Sequence, residues 1–156
     1  MSSLGRAPSS PSIAVQERVR ARPVLLATLD VPLDQEAAVF GVDAAVESGA
    51  ALVVVNVVER PFLPATLAGY DLEAPPEVEQ SLGAASRLAH SLGVEVERLR
   101  VRSPHPVDAL LQIAVERDPG ILVFGPDRSR LSRRRFRKAE RAVRERAPCL
   151  VWAPGL

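Results

Sequence analysis

Five short apolar runs punctuate this chain, PVLLATL (23–29), ALVVVNVV (51–58), VEVERLRV (94–101), ILVFG (121–125) and CLVWA (149–153), and amphipathic segments of helical period lie between them. Strands that alternate with helices specify right-handed βαβ units and so a mostly parallel sheet. The second and fourth runs are continuous enough to be buried on both faces, as strands of such a sheet are. The sequence therefore predicts an α/β fold, a single-layer five-stranded parallel sheet flanked by helices.

The intervening segments carry helix signals. Asp34–Ser48 places Ala38, Val42, Ala45 and Val46 on one stripe, and Gly49 supplies the stop. Pro76–Leu92 spaces Val78, Leu82, Ala85, Ala89 and Leu92 helically, with Gly93 after it. Pro106–Arg117 opens with proline in its first turn and carries Leu110, Leu111 and Ala114. Ser132–Arg146 sets Phe136, Ala139 and Val143 inward, so its arginines point largely outward.

With 156 residues, 47% of them hydrophobic, the chain is long enough for one core. A Ser-, Pro- and Arg-rich stretch reads as a disordered tail over residues 1–21, leaving 22–156 as the domain. That stretch lacks the apolar run of a secretory signal, and no segment approaches the length needed to span a bilayer. Cys149 is the single cysteine, so no internal disulfide forms, no zinc-type cluster exists, and a reducing cytoplasm fits. The connection Glu59–Pro75, with Pro61, Pro64 and Pro75, has the length of a lid or a partner-binding loop.

Net charge is only +1, yet residues 125–156 hold ten Arg or Lys against Asp127, Glu140 and Glu145, a local +7 that leaves −6 for the rest. The basic segment follows a buried strand ending in Gly125, the kind of strand-to-helix junction where α/β sheets bind ligands. A glycine there lets backbone N–H groups approach an anion, and the next helix adds its positive dipole end. Phosphate is the ligand class this points to.

The order of elements, the strand VVVNVVE (53–59), the stretch SPHPVDALLQIAVERDPGILVFG (103–125) and the ending RAVRERAPCLVWAP (141–154) resemble a universal stress protein domain. The resemblance covers nearly everything after the tail. It implies a Rossmann-like layer of the adenine nucleotide alpha hydrolase type, strand order 3-2-1-4-5, and a homodimer through the last strand, here Cys149, Leu150, Val151 and Trp152. Members that bind ATP have a glycine at the end of the fourth strand, a second three residues on, and a third ten residues later followed by Ser or Thr. Only the first is kept, as Gly125; Arg128 replaces the second, and Arg137 or Lys138 the third, with no hydroxyl residue following.

Arginine at such positions obstructs the usual phosphate cradle, but it is itself a bidentate phosphate ligand. ATP with Mg, another anion held by side chains, and no small ligand all stay open. The remaining positions implied for a nucleotide are Ala27 and Thr28 at the first strand's end, Asp30 if one residue is inserted, and Val57, whose backbone would meet the adenine. Asp30 reads equally as a turn residue before the helix.

No catalytic machinery shows. His105 stands between two prolines without a nucleophile or carboxylate placed for it, and His90 lies on a polar helix face. Cys149 reads as a redox sensor if nearby arginines favour its thiolate, or as a buried strand residue. Trp152 reads as an interface or core anchor. Aromatic residues are 4% of the chain and none is interleaved with the arginines for base stacking, which argues against specific nucleic-acid recognition and leaves nonspecific phosphate contacts, an acidic protein partner or the acidic face of a second subunit for the basic segment. The expected function is that of a cytoplasmic, dimeric regulatory or binding module, not an enzyme; the rival is a nucleotide-dependent switch with slow ATP hydrolysis, using Gly125, Asp30 and arginine side chains.

Overall fold

The computed structural model describes residues 21–60, 69–70 and 74–154. The N-terminal tail and most of the long connection after residue 60 lie outside the described residues, as do the two expectations that fall on them. In chain order the elements are β1 (Val24–Thr28), α1 (Gln35–Ser48), β2 (Leu52–Glu59), β3 (Gly69–Tyr70), α2 (Pro76–Ser91), β4 (Val96–Ser103), α3 (Pro106–Arg117), β5 (Ile121–Phe124), a 3-10 turn (Arg128–Arg130), α4 (Arg133–Arg146) and β6 (Leu150–Trp152).

The sheet runs β3-β4-β2-β1-β5-β6. Its five parallel strands, β4-β2-β1-β5-β6, hold the 3-2-1-4-5 order implied by the resemblance, in register from Leu52↔Val96 and Val24↔Leu52 to Val24↔Ile121 and Ile121↔Leu150. The two-residue β3 adds an antiparallel edge, Gly69 opposite Arg102, that no apolar run announces. Because β1 is the central strand, side chains alternate between two cores. Val24 and Leu26 pack with Val42, Ala45, Leu82 and Ala85 under α1 and α2; Leu25 and Ala27 pack with Leu110, Ala114, Phe136 and Val143 under α3 and α4.

Helix boundaries follow capping chemistry. The Asp34 carboxylate accepts from the Ala37 N–H at 3.0 Å and the Ser132 hydroxyl accepts from the Arg135 N–H at 3.1 Å, each satisfying an orphan donor of a first turn. Gly49 ends α1 at φ 65°, in the left-handed region.

The inward stripe of α1 is displaced from the one the sequence suggests. Ala37, Gly41, Val42 and Ala45 are buried, Ala38 is half-buried and Val46 is 43% exposed. The cause is Gly41: a Cβ there would lie 3.2 Å from Leu26 Cδ1, so its missing side chain lets the helix settle on its glycine edge. Leu92, expected inward, is 52% exposed because it caps α2 rather than extending its stripe.

Candidate functional site

The carboxyl ends of the adjacent strands β1 and β5, where an open α/β sheet binds its ligands, are stitched together by backbone. The Gly125 N–H donates to the Ala27 carbonyl at 2.8 Å, the Asp34 N–H to the Gly125 carbonyl at 2.8 Å, and the Asp127 N–H to the Pro32 carbonyl at 2.9 Å. Leu33 and Pro126 form an antiparallel bridge between the two segments. Leu29, Val31 and Leu33, the apolar residues of the loop after β1, are buried, so the loop folds down onto the sheet end.

Gly125 is required here for a steric reason. A Cβ on it would fall 2.4 Å from the Cβ of Ala37 in the first turn of α1. Its φ is not in the left-handed region, which among the described residues holds only Gly49, Gly93 and Asp118. The space that glycine frees is therefore taken by α1.

Ala27 and Thr28 are fully buried, and the Thr28 hydroxyl faces the carbonyls of Val31 (2.8 Å) and Pro32 (3.3 Å), folding the loop back on its own strand. Val57 is fully buried in β2 opposite Val101 of β4, with its side chain in the α3/α4 core. Asp30 is exposed at the loop and faces Arg60 at 3.9 Å. Arg128 lies in the 3-10 turn without positive φ, so it carries none of the strain a displaced glycine would imply. Its guanidinium carbon sits 5.8 Å from the centroid of Phe136, which packs in turn on Phe124.

Arg137 and Lys138 are not gathered with these groups. They occupy the second turn of α4, which begins at Arg133, and are exposed. Two other arginines reach across the sheet end instead. Arg135 of α4 donates to the Glu59 carboxylate at the end of β2 at 3.3 Å, and Arg130 donates to Glu77 at the start of α2 at 2.5 Å. Since β1 lies between β2 and β5, these pairs straddle the loop that follows it.

Sequence reasoning missed Asn56, fully buried and one residue before Val57. Its amide donates to the Leu29 carbonyl and its oxygen accepts from Arg100, tying β4, β2 and the β1 loop into one relay. The signal was present: one asparagine in the otherwise apolar run LVVVNVV must find partners to be buried there. Ala37, Glu59 and Glu77 were likewise unmarked.

On the last strand, Leu150 is 73% exposed, while Cys149, Val151 and Trp152 are half-buried. The Trp152 ring stacks on Phe40 of α1 at 4.0 Å and 5°. Burial pushes the Cys149 thiol above its ordinary value, outweighing the attraction of Arg22 and a backbone hydrogen bond from Leu122, so the arginines of α4 do not make it a thiolate. His105 caps α3 without a side-chain bond to it, and His90 is exposed. Among the described residues no three His, Cys, Asp or Glu converge as metal ligands, and no helix is long and apolar enough to cross a membrane. A groove of about 360 Å³ between α1 and α2 is lined by Leu33, Val39, Ala84 and Leu88 among others.

The architecture is shared with solved structures. A universal stress protein from Archaeoglobus fulgidus superimposes with a TM-score of 0.62 at 20% identity, over 91% of this chain and 98% of that one. A universal stress protein in complex with cAMP gives 0.59 at 20% identity, over 86% and 97%. The Archaeoglobus fulgidus protein in complex with dAMP gives 0.59 at 19%, over 86% and 98%. No individually curated protein sequence matches. The sequence model of the universal stress protein family matches residues 20–153, the whole of the sheet and its four helices, and the chain belongs to that family.

Proposed function

We propose that this chain is a regulatory and binding module of the cytoplasm, not an enzyme, with a degenerate phosphate motif that does not take ATP in the glycine-cradle manner. The observation that carries this reading is the contact of Gly125 with Ala37, which uses the one retained motif glycine for helix packing. The backbone bonds from Asp34 and Asp127 and the ion pairs of Arg130 and Arg135 support it by holding the loop shut. Relatives of the same fold were crystallised with cAMP and dAMP, so the architecture takes adenine nucleotides where its loops allow.

A second reading rests on Arg128. Unstrained and held over Phe136 at the strand end, it is placed to meet a phosphate by side chain, as in an ATP- or anion-responsive switch with Mg. Isothermal titration of nucleotide-stripped protein with ATP and magnesium, AMP and cAMP separates the two. No saturable heat is expected from the natural protein or from Arg128→Gly. Saturable binding by the natural protein that is lost in Arg128→Gln overturns the first reading in favour of the second.

The module acts as a homodimer through β6. Support comes from its position: among the described residues the strand has one neighbour, β5, and its Leu150 side chain is exposed at the edge. Arg144 donates to the Val151 carbonyl at 3.3 Å and must swing away for backbone pairing. Light scattering at micromolar protein should give twice the chain mass, reduced to one by Leu150→Lys; a monomer for the natural protein refutes this.

A further inference from the structure

The ten basic residues of the arginine segment fall into two groups. Five are engaged: Arg130 with Glu77, Arg135 with Glu59, Arg144 with Glu140, Arg146 with Asp108, and Arg128 over Phe136. The other five, Arg133, Arg134, Arg137, Lys138 and Arg141, are exposed or nearly so and make no hydrogen bond or ion pair with any described residue.

Helical spacing organises this second group. Phe136, Ala139 and Val143 face the core, so Arg134, Lys138 and Arg141 fall on the opposite ridge, with Arg137 beside them and Glu145 at the far end. From Arg134 to Arg141 the ridge rises about 10 Å, a span over which a nucleic-acid duplex presents about six backbone charges.

We propose that the outer ridge of α4 is a docking surface for the phosphate backbone of nucleic acid, independent of its sequence. The ridge has no cavity chemistry: it is convex and so cannot enclose a small anion. The buried core of a protein interface is apolar around its anchors, arginine anchors included. Among the described residues the large exposed apolar side chains, Val39, Val46, Leu88, Leu92, Val115 and Leu150, all lie off α4. A helix lying in a membrane surface must sink an apolar face, and that of α4 is committed to the core. Charge without an anchor binds by releasing counterions from a polyanion. With no aromatic, Asn or Gln on the ridge, nothing stacks on bases, and amide readout of adenine is missing.

The test is fluorescence anisotropy with two unrelated labelled duplexes of about 20 bp between about 50 and 200 mM KCl, where four to five phosphate contacts give a slope of about −4 in log K against log salt. Both duplexes are expected to bind alike. Arg134→Gln with Lys138→Gln and Arg141→Gln should flatten the slope by about 3 and weaken binding at least about tenfold. A control triple, Arg22→Gln with Arg87→Gln and Arg117→Gln, removes the same charge elsewhere and should bind nearly as the natural protein does. Circular dichroism checks that both triples are folded. Equal losses in the two triples, a strong preference for one duplex, or no binding at the lowest salt overturns the proposal. So does binding to vesicles of phosphatidylcholine and phosphatidylserine, or to an acidic polypeptide such as polyglutamate, without binding to either duplex.

Discussion

The methyl group that Gly125 lacks would sit 2.4 Å from the Cβ of Ala37, closer than two carbons pack, so the end of β5 and the first turn of α1 meet only because one side chain is absent. This contact sets the stability prediction for the candidate site. Gly125→Ala should cost about 1–3 kcal/mol as overpacking, read from urea midpoints at constant slope. Ala37→Gly on top of it removes the collision and should recover part of that loss, despite a helix-propensity cost of about 1 kcal/mol. Strict additivity of the two changes would show that the contact is not the reason for the glycine.

The Phe40–Trp152 stack should couple α1 to β6. A double-mutant cycle with Phe40→Leu and Trp152→Leu is expected to give about 0.5–1.5 kcal/mol of interaction energy. Trp152 is the only tryptophan, so its emission reports this packing directly and should shift red in the Phe40→Leu variant. A coupling near zero would mean that the rings touch without stabilising one another.

Cys149 should be a sluggish nucleophile. Burial holds its thiol above the ordinary range, leaving little thiolate at neutral pH. Alkylation by iodoacetamide near pH 7.5 should run well below the rate of the same protein in urea. Equal rates would restore the redox-sensor reading.

Glu79 supplies the pH dependence. The hydrogen bond from Arg98 holds its carboxyl below the usual value of 4.5, against a smaller opposing effect of burial. A carboxyl lowered in the folded state stabilises the fold above its unfolded value, and that contribution disappears as pH falls through the lower folded value. Glu79→Gln should therefore lower the urea midpoint slightly at pH 7, by an amount that shrinks as the pH falls through the lowered value. The pair is largely exposed, so half-molar salt should erase most of the difference.

Sequence patterns disclosed those features of this fold that depend on neighbours along the chain. The stop at Gly49 and the proline opening α3 each act within one turn, and the segments read as Asp34–Ser48, Pro106–Arg117 and Ser132–Arg146 begin and end within two residues of the observed helices. What the pattern could not carry are contacts between distant segments. Ala37 meets Gly125, Arg135 meets Glu59 and Phe40 meets Trp152 only once the sheet has ordered its strands. Gly125 was visible as a motif residue, but whether its bare face served a phosphate or a helix depended on Ala37, an alanine like many others in the chain. Asn56 was the exception, a long-range polar contact announced by its apolar neighbours.

The Phe40–Trp152 stack also bears on how the polypeptide is born. The ring that completes the outer side of the first helix belongs to the final strand, so during vectorial synthesis α1 emerges from the ribosome with Phe40 uncovered. It stays so until β6 has been made and threaded beside β5. Until β6 has been made, the residue that covers Phe40 in the folded chain is missing.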